Sequence, residues 1–217
     1  MKVEIWSDVM CPFCYIGKRK FETALEQFPQ KNNVEIEWKS FQLNPDMETD
    51  PKKNINEYLA EHKGIGIDQA KRMNDCVTAM AKEVGLRYDF DKAIVANSFD
   101  AHRLSHLAKK YGKQDAMEER LFKAYFTEGK NTADHETLIH LAEEIGLNAD
   151  EVQTMLGGND FSDAVNSDLY EAQQVGARGV PFFVFNNTYA VSGAQPTELF
   201  LSALTQSYGE WKKENHA

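Results

Sequence analysis

The sequence lacks any apolar run close to the roughly 18 residues that a membrane-spanning helix needs. It also has no apolar stretch at its start that could serve as a secretory leader, because Glu4 and Asp8 interrupt the first residues. We therefore expect no membrane contact and a location in the reducing cytoplasm.

Cysteine is scarce, and positive charge is outnumbered by negative charge. The three cysteines, Cys11, Cys14 and Cys76, cannot all pair within one chain, which excludes a disulfide-stapled scaffold. The 24 Lys and Arg residues against 34 Asp and Glu residues give a formal net charge of −10. No Lys and Arg cluster is dense enough to bind a phosphate backbone, so we expect no nucleic-acid partner. The 42% hydrophobic and 11% aromatic content indicates a folded globular chain.

The N-terminal segment has the periodicity of a β-α-β unit. Apolar and polar residues alternate over 2–7 and again over 33–41, which predicts two strands. Between them, apolar residues with helical spacing predict a helix over 11–28, which ends at Pro29. A crossover helix of this length favours parallel pairing of the two strands.

The middle of the chain, from residue 54 to residue 156, shows only helical patterns. We predict helices over five segments: 55–60, 68–84, 97–111, 116–126 and 136–145. About a hundred residues of helix without a strand predict a helical subdomain.

The C-terminal segment returns to a mixed pattern. We predict, in order, a helix over 161–175, strands over 180–185 and 188–192, and a last helix that opens at Pro196. The Asn186-Asn187 turn has the spacing of a β-hairpin, and Gly176 is placed as a helix C-cap. The two ends together give the order β-α-β and α-β-β-α around the helical block.

The Cys-Pro-Phe-Cys motif at residues 11–14 is where we expect chemistry. Two cysteines at i and i+3 in a first helical turn have Cα atoms about 5 to 6 Å apart, within reach of a disulfide. We place Cys11 at the N-cap, where its sulfur can accept backbone N–H bonds and where the helix dipole is equivalent to about +0.5 charge. Both effects favour the thiolate, so Cys11 is the candidate nucleophile. Cys14, one turn further, is expected to be more buried and to act as the resolving thiol.

Other roles for these residue types are weaker. A zinc site needs four ligands, and no second Cys-x-x-Cys or Cys/His pair follows the motif. His102 and His106 have the i, i+4 spacing of metal ligands, but a third ligand is missing, so no metal is expected. Cys76 is predicted to be a buried small hydrophobic residue on a helix rather than a third redox thiol.

Five segments together resemble one protein family. They are, in chain order, W-S-D-V-M-C-P-F-C-Y-I-G, F-Q-L-N-P, N-S-F-D-A-H-R, G-A-R-G-V-P-F-F-V-F and S-G-A-Q-P. Over nearly the whole chain, the sequence resembles the DsbA-like thiol-disulfide oxidoreductases, and it is closest to their cytoplasmic FrnE-type branch. The resemblance implies an α/β protein, a thioredoxin fold interrupted by an all-helical insertion. The thioredoxin-like domain would comprise residues 1–48 and 158–217, and the helical insertion residues 49–157.

The resemblance also implies a set of substrate-binding residues. Pro181 is the expected cis-proline facing the motif. Because it lacks an N–H and opens a strand, the backbone of Val180 is free to pair with an extended peptide. The other expected substrate-binding residues are Pro12 and Phe13 in the motif and Asn97, Phe99 and His102 in the wall of the helical domain.

The implied partners are protein or peptide disulfides, and the redox-active cysteine pair is the only cofactor expected. Glutathione is left open as a co-substrate, and the protein is expected to be a monomer or a homodimer. The chain has Phe13 where DsbA itself has a histidine. Without that cation beside the thiolate, we expect a less oxidising protein that acts as a reductase or isomerase at least as readily as an oxidase.

Two other functions stay open at this point. The 2-hydroxychromene-2-carboxylate isomerases and kappa-class glutathione transferases also carry a helical insertion and bind glutathione beside the cis-proline. They commonly have serine at the first motif position, whereas Cys11 and Cys14 are both present here, which favours dithiol chemistry. A chaperone or binding module with incidental cysteines is the third reading.

Overall fold

Strands and helices alternate at both ends of the chain in this computed structural model, which describes residues 1–215. In chain order the elements are β1 (Lys2–Ser7), α1 (Pro12–Gln27), β2 (Glu35–Ser40), β3 (Asp50–Asn54), α2 (Ile55–Lys63), α3 (Ile67–Glu83), β4 (Ile94–Val95), α4 (Phe99–Lys110), α5 (Gln114–Phe126), α6 (His135–Glu144), α7 (Ala149–Gly157), α8 (Ser162–Gln174), β5 (Phe182–Phe185), β6 (Tyr189–Ser192) and α9 (Thr197–Asn215).

The main sheet has four strands in the order β2-β1-β5-β6. Strand β1 pairs in parallel with β2 and antiparallel with β5, and β5 pairs antiparallel with β6. Asn186 and Asn187 join β5 to β6 with φ of 48° and 55°, the left-handed conformation that a tight two-residue hairpin requires. The predicted parallel β-α-β unit and the C-terminal hairpin are thus confirmed, as is the α/β thioredoxin fold class.

Helices α1 and α9 pack together on one face of the sheet. Four fully buried phenylalanines fill the space between them and β5, with the Phe21 ring 5.5 Å from Phe183 and 5.9 Å from Phe200. Burying one such ring contributes about 1.5–3 kcal/mol, so this cluster fixes α1 on the sheet. The N-terminus of α1, which carries the cysteine motif, is held by that packing.

The predicted absence of strands from the helical block is wrong. Strands β3 and β4 form a separate two-stranded antiparallel sheet. The five residues of β3 are all polar apart from Pro51, and β4 has only two residues, so neither shows alternation. The predictions also omitted α7, although the Asn148 side chain accepts from the Glu151 amide in the manner of a helix N-cap.

The helical region is fixed firmly to the main sheet. Gln114 at the start of α5 donates to the Trp38 carbonyl at 2.9 Å and accepts from the Trp38 amide at 3.1 Å. Tyr15 of α1 stacks on Phe122 of α5 at 5.0 Å, and a single hydrophobic cluster contains residues of both regions. The domain boundaries at residues 49 and 157 stay a prediction. Within residues 1–215, no helix has both the length and the apolar character needed to cross a membrane.

Candidate active site

The Cys-Pro-Phe-Cys motif forms the first turn of α1. A tight turn after β1 leads into it, because the Cys11 amide donates to the Asp8 carbonyl at 2.9 Å. Cys11 is the N-cap residue, and Pro12 follows at the first helical position, where its missing N–H costs no hydrogen bond. Both thiols are buried, with 3% of Cys11 and 1% of Cys14 exposed.

The Cys11 sulfur does not cap the helix, so the expectation that it accepts N–H bonds from the first turn is wrong. Its Sγ instead lies 3.4 Å from the Val180 carbonyl oxygen, to which the thiol donates. The cause is the close approach of the segment before β5, which offers an acceptor on the other side of the sulfur. The Cys11 sulfur and the backbone of Val180 are therefore in direct contact.

The Val180–Pro181 peptide bond is cis, and Pro181 packs against α1. A Cβ atom on Gly17 would lie 2.9 Å from Pro181 Cγ, closer than ordinary contact, so any other residue here would require the proline ring or the helix to shift. The sequence interpretation missed Gly17. An isolated glycine inside a helical pattern was the available signal.

Cys14 is held as a thiol. Burial, then the hydrogen bond to Cys11 and the Cys11 charge, raise the pKa of Cys14 well above its ordinary value, while the Ser7 hydroxyl and the Asp8 backbone lower it. Tyr88, which sequence reasoning also missed, donates from its hydroxyl to the Pro12 carbonyl at 2.7 Å. Burial and the charges of the two cysteines raise the pKa of Tyr88, so it stays a neutral hydrogen-bond donor.

An apolar groove of about 460 Å³ opens beside the motif. Its lining residues are Asp8, Met10, Pro12, Phe13, Leu43, Asn44, Met47, Ile55, Tyr58, Leu59, His62, Lys63, Met73, Asn74, Val77, Phe90, Ser98, Tyr125 and Phe126. Phe13 and Leu43 are 38% and 54% exposed, which is high for such apolar side chains. Helices α2 and α3 and the loop after β2 supply most of the groove. The sequence patterns did not place any of these three elements at the motif.

Asn97, Phe99 and His102 are not among the residues that line this groove. The Asn97 side chain is used within the protein, where it donates to the Met47 carbonyl at 2.8 Å and accepts from the Phe99 amide at 2.9 Å. Phe99 and Asn97 line a different pocket of about 390 Å³. His102 is 2% exposed and lies behind the groove lining, so its role in substrate binding stays a prediction. Asn97 acts on the groove indirectly, because it holds the loop that carries Met47.

The two histidines with metal-ligand spacing each contact a different carboxylate. His102 Nε2 lies 3.7 Å from Asp8 Oδ1, and His106 Nε2 lies 3.0 Å from Asp168 Oδ2. Within residues 1–215, no three His, Cys, Asp or Glu side chains come together as a metal site.

Asp8 and His102 form a buried ion pair beside the motif. Burial alone would lower the pKa of His102, but Asp8, Glu118 and the Phe41 backbone outweigh burial and raise that pKa above its ordinary 6.5. The Asp8 carboxylate also accepts from the backbone amides of Leu43 at 2.8 Å and Met10 at 3.2 Å. Asp8 thus links the motif, the groove loop and the helical region.

Cys76 is exposed on α3, so the prediction that it is buried is wrong. Its side chain is on the solvent face of an amphipathic helix whose buried positions are Ala70, Asn74 and Ala81.

Comparison with known proteins agrees with the fold. Residues 2–205 match the sequence family described as DSBA-like thioredoxin domain. The crystal structure of a probable DsbA oxidoreductase from Streptomyces coelicolor is 42% identical, covers 97% of this chain and 91% of that one, and superposes with a TM-score of 0.92. An uncharacterized protein of Bacillus subtilis strain 168, YwbO, is 28% identical over 207 residues, which are 94% of this chain and 95% of that protein.

A structure of 2-hydroxychromene-2-carboxylate isomerase is 15% identical, with a TM-score of 0.67 over 100% of this chain and 98% of that one. At this identity the likeness concerns the fold alone. The chain belongs to the DsbA-like thioredoxin domain family, and its fold is that of the thiol-disulfide oxidoreductases.

Proposed function

We propose that the protein exchanges its Cys11–Cys14 dithiol and disulfide with protein or small-molecule disulfides. Cys11 attacks the substrate disulfide, and Cys14 then attacks Cys11 Sγ in the mixed disulfide and releases the reduced substrate. The observation that carries this proposal is the placement of two cysteines in one helical turn directly against the Val180–Pro181 segment, with 3.4 Å from Cys11 Sγ to the Val180 carbonyl.

The segment before β5 is suited to hold a substrate peptide. Val180 and Pro181 precede β5, which begins at Phe182, so their backbone lies outside the ladder with β1. The Pro181 carbonyl accepts from the Gly193 amide at 2.8 Å, and the Val180 carbonyl accepts from the Cys11 thiol. An extended peptide would therefore pair in strand-like fashion with the Val180 backbone, in place of the Cys11 thiol, which would put its disulfide next to Cys11. Pro12 and Phe13 border the same position from the groove side.

The groove favours peptide disulfides over glutathione disulfide. Glutathione carries two carboxylates on each half, and the groove lining offers Lys63 and His62 as cations but also Asp8 as an anion, among mainly apolar side chains. An extended peptide with apolar residues beside its cysteine would remove more apolar surface from water. We further propose a reducing compartment, because Cys76 is a free exposed thiol.

A mixed-disulfide trap tests the mechanism. The exposed thiol of Cys76 could form its own disulfides, so the variants are made in a Cys76→Ala background. Incubated with a peptide disulfide, Cys14→Ser should accumulate a covalent adduct at Cys11, because no resolving thiol remains. Cys11→Ser is the matched control and should form no adduct and reduce no insulin. Mass spectrometry of peptides from the non-reduced protein identifies the cysteine involved.

The same variants discriminate against the isomerase alternative. If Cys11→Ser retains a glutathione-dependent isomerase activity and Cys14→Ser forms no adduct, the dithiol mechanism is wrong. If neither variant differs from the parent in any exchange assay, the cysteines are incidental and the binding-module reading is correct.

A further inference from the structure

Tyr88 joins the loop between α3 and β4 to the cysteine motif. Its hydroxyl donates to the Pro12 carbonyl at 2.7 Å, and the residue is 8% exposed. Pro12 stands between the two cysteines in the sequence, so this bond reaches the dipeptide of the motif itself. Formation of α1 does not require it, because a helical carbonyl at this position accepts from the amide four residues further on.

Tyr88 is fixed on both sides along the chain. The Arg87 carbonyl accepts from the Thr127 hydroxyl at 2.7 Å, and the Asp89 amide donates to the Phe126 carbonyl at 2.7 Å. Both partners lie at the C-terminal end of α5. The Tyr88 ring also stacks on the Phe126 ring, with the centroids 4.7 Å apart. Hydrogen bonds and ring packing therefore hold the hydroxyl in place over the motif.

The Pro12 carbonyl and the Phe13 amide belong to one peptide group. Because Cys11 is the N-cap of α1, Phe13 is the second helical residue, and its N–H has no acceptor within the helix. It is one of the two amides from which an N-cap side chain can accept. The other, the Cys14 amide, donates to the Cys11 carbonyl at 3.0 Å. The Phe13 amide is thus the backbone donor left for an anionic Cys11 sulfur.

Cys11 needs such a donor once it has lost its proton. As a thiol it donates to the Val180 carbonyl oxygen at 3.4 Å. The thiolate is the form that attacks a disulfide, and it has no proton with which to bond that oxygen. A hydrogen bond from the Phe13 amide would stabilise the thiolate instead. A donor on the carbonyl end of the same peptide polarises it and makes this N–H a stronger donor.

We propose that Tyr88 is a positioning residue whose hydroxyl holds and polarises the Pro12–Phe13 peptide, so that the Phe13 amide donates to the Cys11 thiolate. Tyr88 acts through this peptide and is not among the residues that line the groove. Burial, the largest effect, raises the pKa of Tyr88 and keeps its hydroxyl protonated, as the role requires. This inference rests on the dithiol function proposed above and assigns the group that prepares Cys11 for attack.

The test removes one hydroxyl and keeps the ring. Tyr88→Phe deletes the bond to Pro12 but retains the stacking on Phe126. Tyr125→Phe is the matched control, because Tyr125 is buried, its ring contacts Phe126, and its hydroxyl donates to the Ile94 carbonyl at 2.8 Å. Both variants lose one buried bond from a tyrosine to a carbonyl, so similar losses in the free energy of unfolding are expected. A fluorotyrosine at position 88 makes the opposite change, because its hydroxyl is a stronger donor.

The first readout is the pH dependence of Cys11 alkylation, which measures its acid dissociation constant. The other titratable groups around the motif are Cys14 in the same turn and the buried pair of Asp8 and His102. Every protein in the comparison therefore carries Cys14→Ser and Cys76→Ala, and the buried pair is left unchanged. Alkylation requires no exchange activity.

Tyr88→Phe should lower the acid dissociation constant of Cys11 about two- to threefold, the part of one charged hydrogen bond that such polarisation supplies. The fluorotyrosine should raise it, and Tyr125→Phe should leave it unchanged. An unaltered Cys11 profile in Tyr88→Phe overturns the proposal. An equal shift in Tyr125→Phe also overturns it, because the effect would then come from general loosening of the aromatic cluster.

The second readout is equilibration against glutathione in the protein with both motif cysteines, at a pH above the Cys11 titration. Stabilising the thiolate favours the reduced protein, so Tyr88→Phe should shift the equilibrium constant about two- to threefold toward the protein disulfide. An unchanged constant would contradict the proposal. Absence of any exchange in the parent protein would instead contradict the proposed function and leave the alkylation result standing.

Discussion

Gly17 is the residue whose substitution gives the sharpest test of how α1 is placed under Pro181. Gly17→Ala adds a Cβ at 2.9 Å from Pro181 Cγ, 3.5 Å from Phe183 Cζ and 3.6 Å from Ala194 Cα. Ordinary contacts begin at 3.4 Å, so the proline ring or the helix must move by up to about 0.5 Å to restore one. The atoms that would move belong either to α1, which carries Cys11, or to Pro181, which is part of the segment proposed to bind substrate.

Two effects of opposite sign determine the stability of this variant. Overpacking in a tight core costs about 1–3 kcal/mol. Replacing glycine by alanine inside a helix stabilises by about 0.8–1.0 kcal/mol. The net expectation for Gly17→Ala is a free energy of unfolding lower by about 0–2 kcal/mol.

The stabilisation gained when alanine replaces glycine inside a helix can be measured separately at Gly209. This residue lies inside α9, and no atom lies within 4 Å of an added Cβ. Gly209→Ala should gain about 0.8–1.0 kcal/mol in urea unfolding. The difference between the two variants then isolates the clash with Pro181.

Exchange activity should respond more strongly than stability. A misplacement of about 1 Å can cost about 10²-fold in rate, so a displacement of half that size suggests a loss of about tenfold. Insulin reduction, measured with Gly209→Ala as the control, gives this rate. If Gly17→Ala gains as much stability as Gly209→Ala and reduces insulin at the parent rate, the approach of Pro181 to α1 does not constrain the site.

Two further predictions concern redox poise and pH. Phe13→His adds a donor and a potential cation beside Cys11, and it should raise the reduction potential by tens of millivolts, about 30 mV for each 1.4 kcal/mol. Equilibration against glutathione measures it, and an unchanged or more negative potential means that the dipeptide does not set the poise. The raised pKa of His102 implies that its pairing with Asp8 contributes stability that is complete below pH 6.5 and is lost as the pH rises through the folded-state pKa. The difference in unfolding free energy between the parent and His102→Asn should therefore shrink as the pH rises above 6.5 and through the raised folded-state pKa, and a constant difference would contradict the ion pair.

The redox motif and the elements around it could be predicted from the sequence because they depend on local chemistry. The i, i+3 spacing of Cys11 and Cys14, the position of Pro12 at the start of a helix and the Asn186-Asn187 turn each involve neighbours in the chain. Periodicity over short windows likewise predicted β1, α1, β2 and the C-terminal hairpin.

Only the tertiary structure decided what surrounds the two sulfurs. The Val180 carbonyl that accepts from Cys11 is 169 residues away along the chain, so no local pattern could indicate that the sulfur would turn from the helix toward it. The contact of Gly17 with Pro181 depends in the same way on the docking of α1 against the segment before β5.

The groove and the Asp8–His102 pair likewise depend on contacts between segments that are far apart in the chain. The resemblance implies Asn97, Phe99 and His102 as substrate-binding residues, and this stays a prediction. Only the tertiary structure shows that Asn97 bonds the loop after β2 and that His102 is buried against Asp8. Sequence determines which residues can react and which segments are helical or extended. Packing between segments far apart in the chain determines which side chains face the reacting sulfur, because those contacts exist only once these segments have packed together.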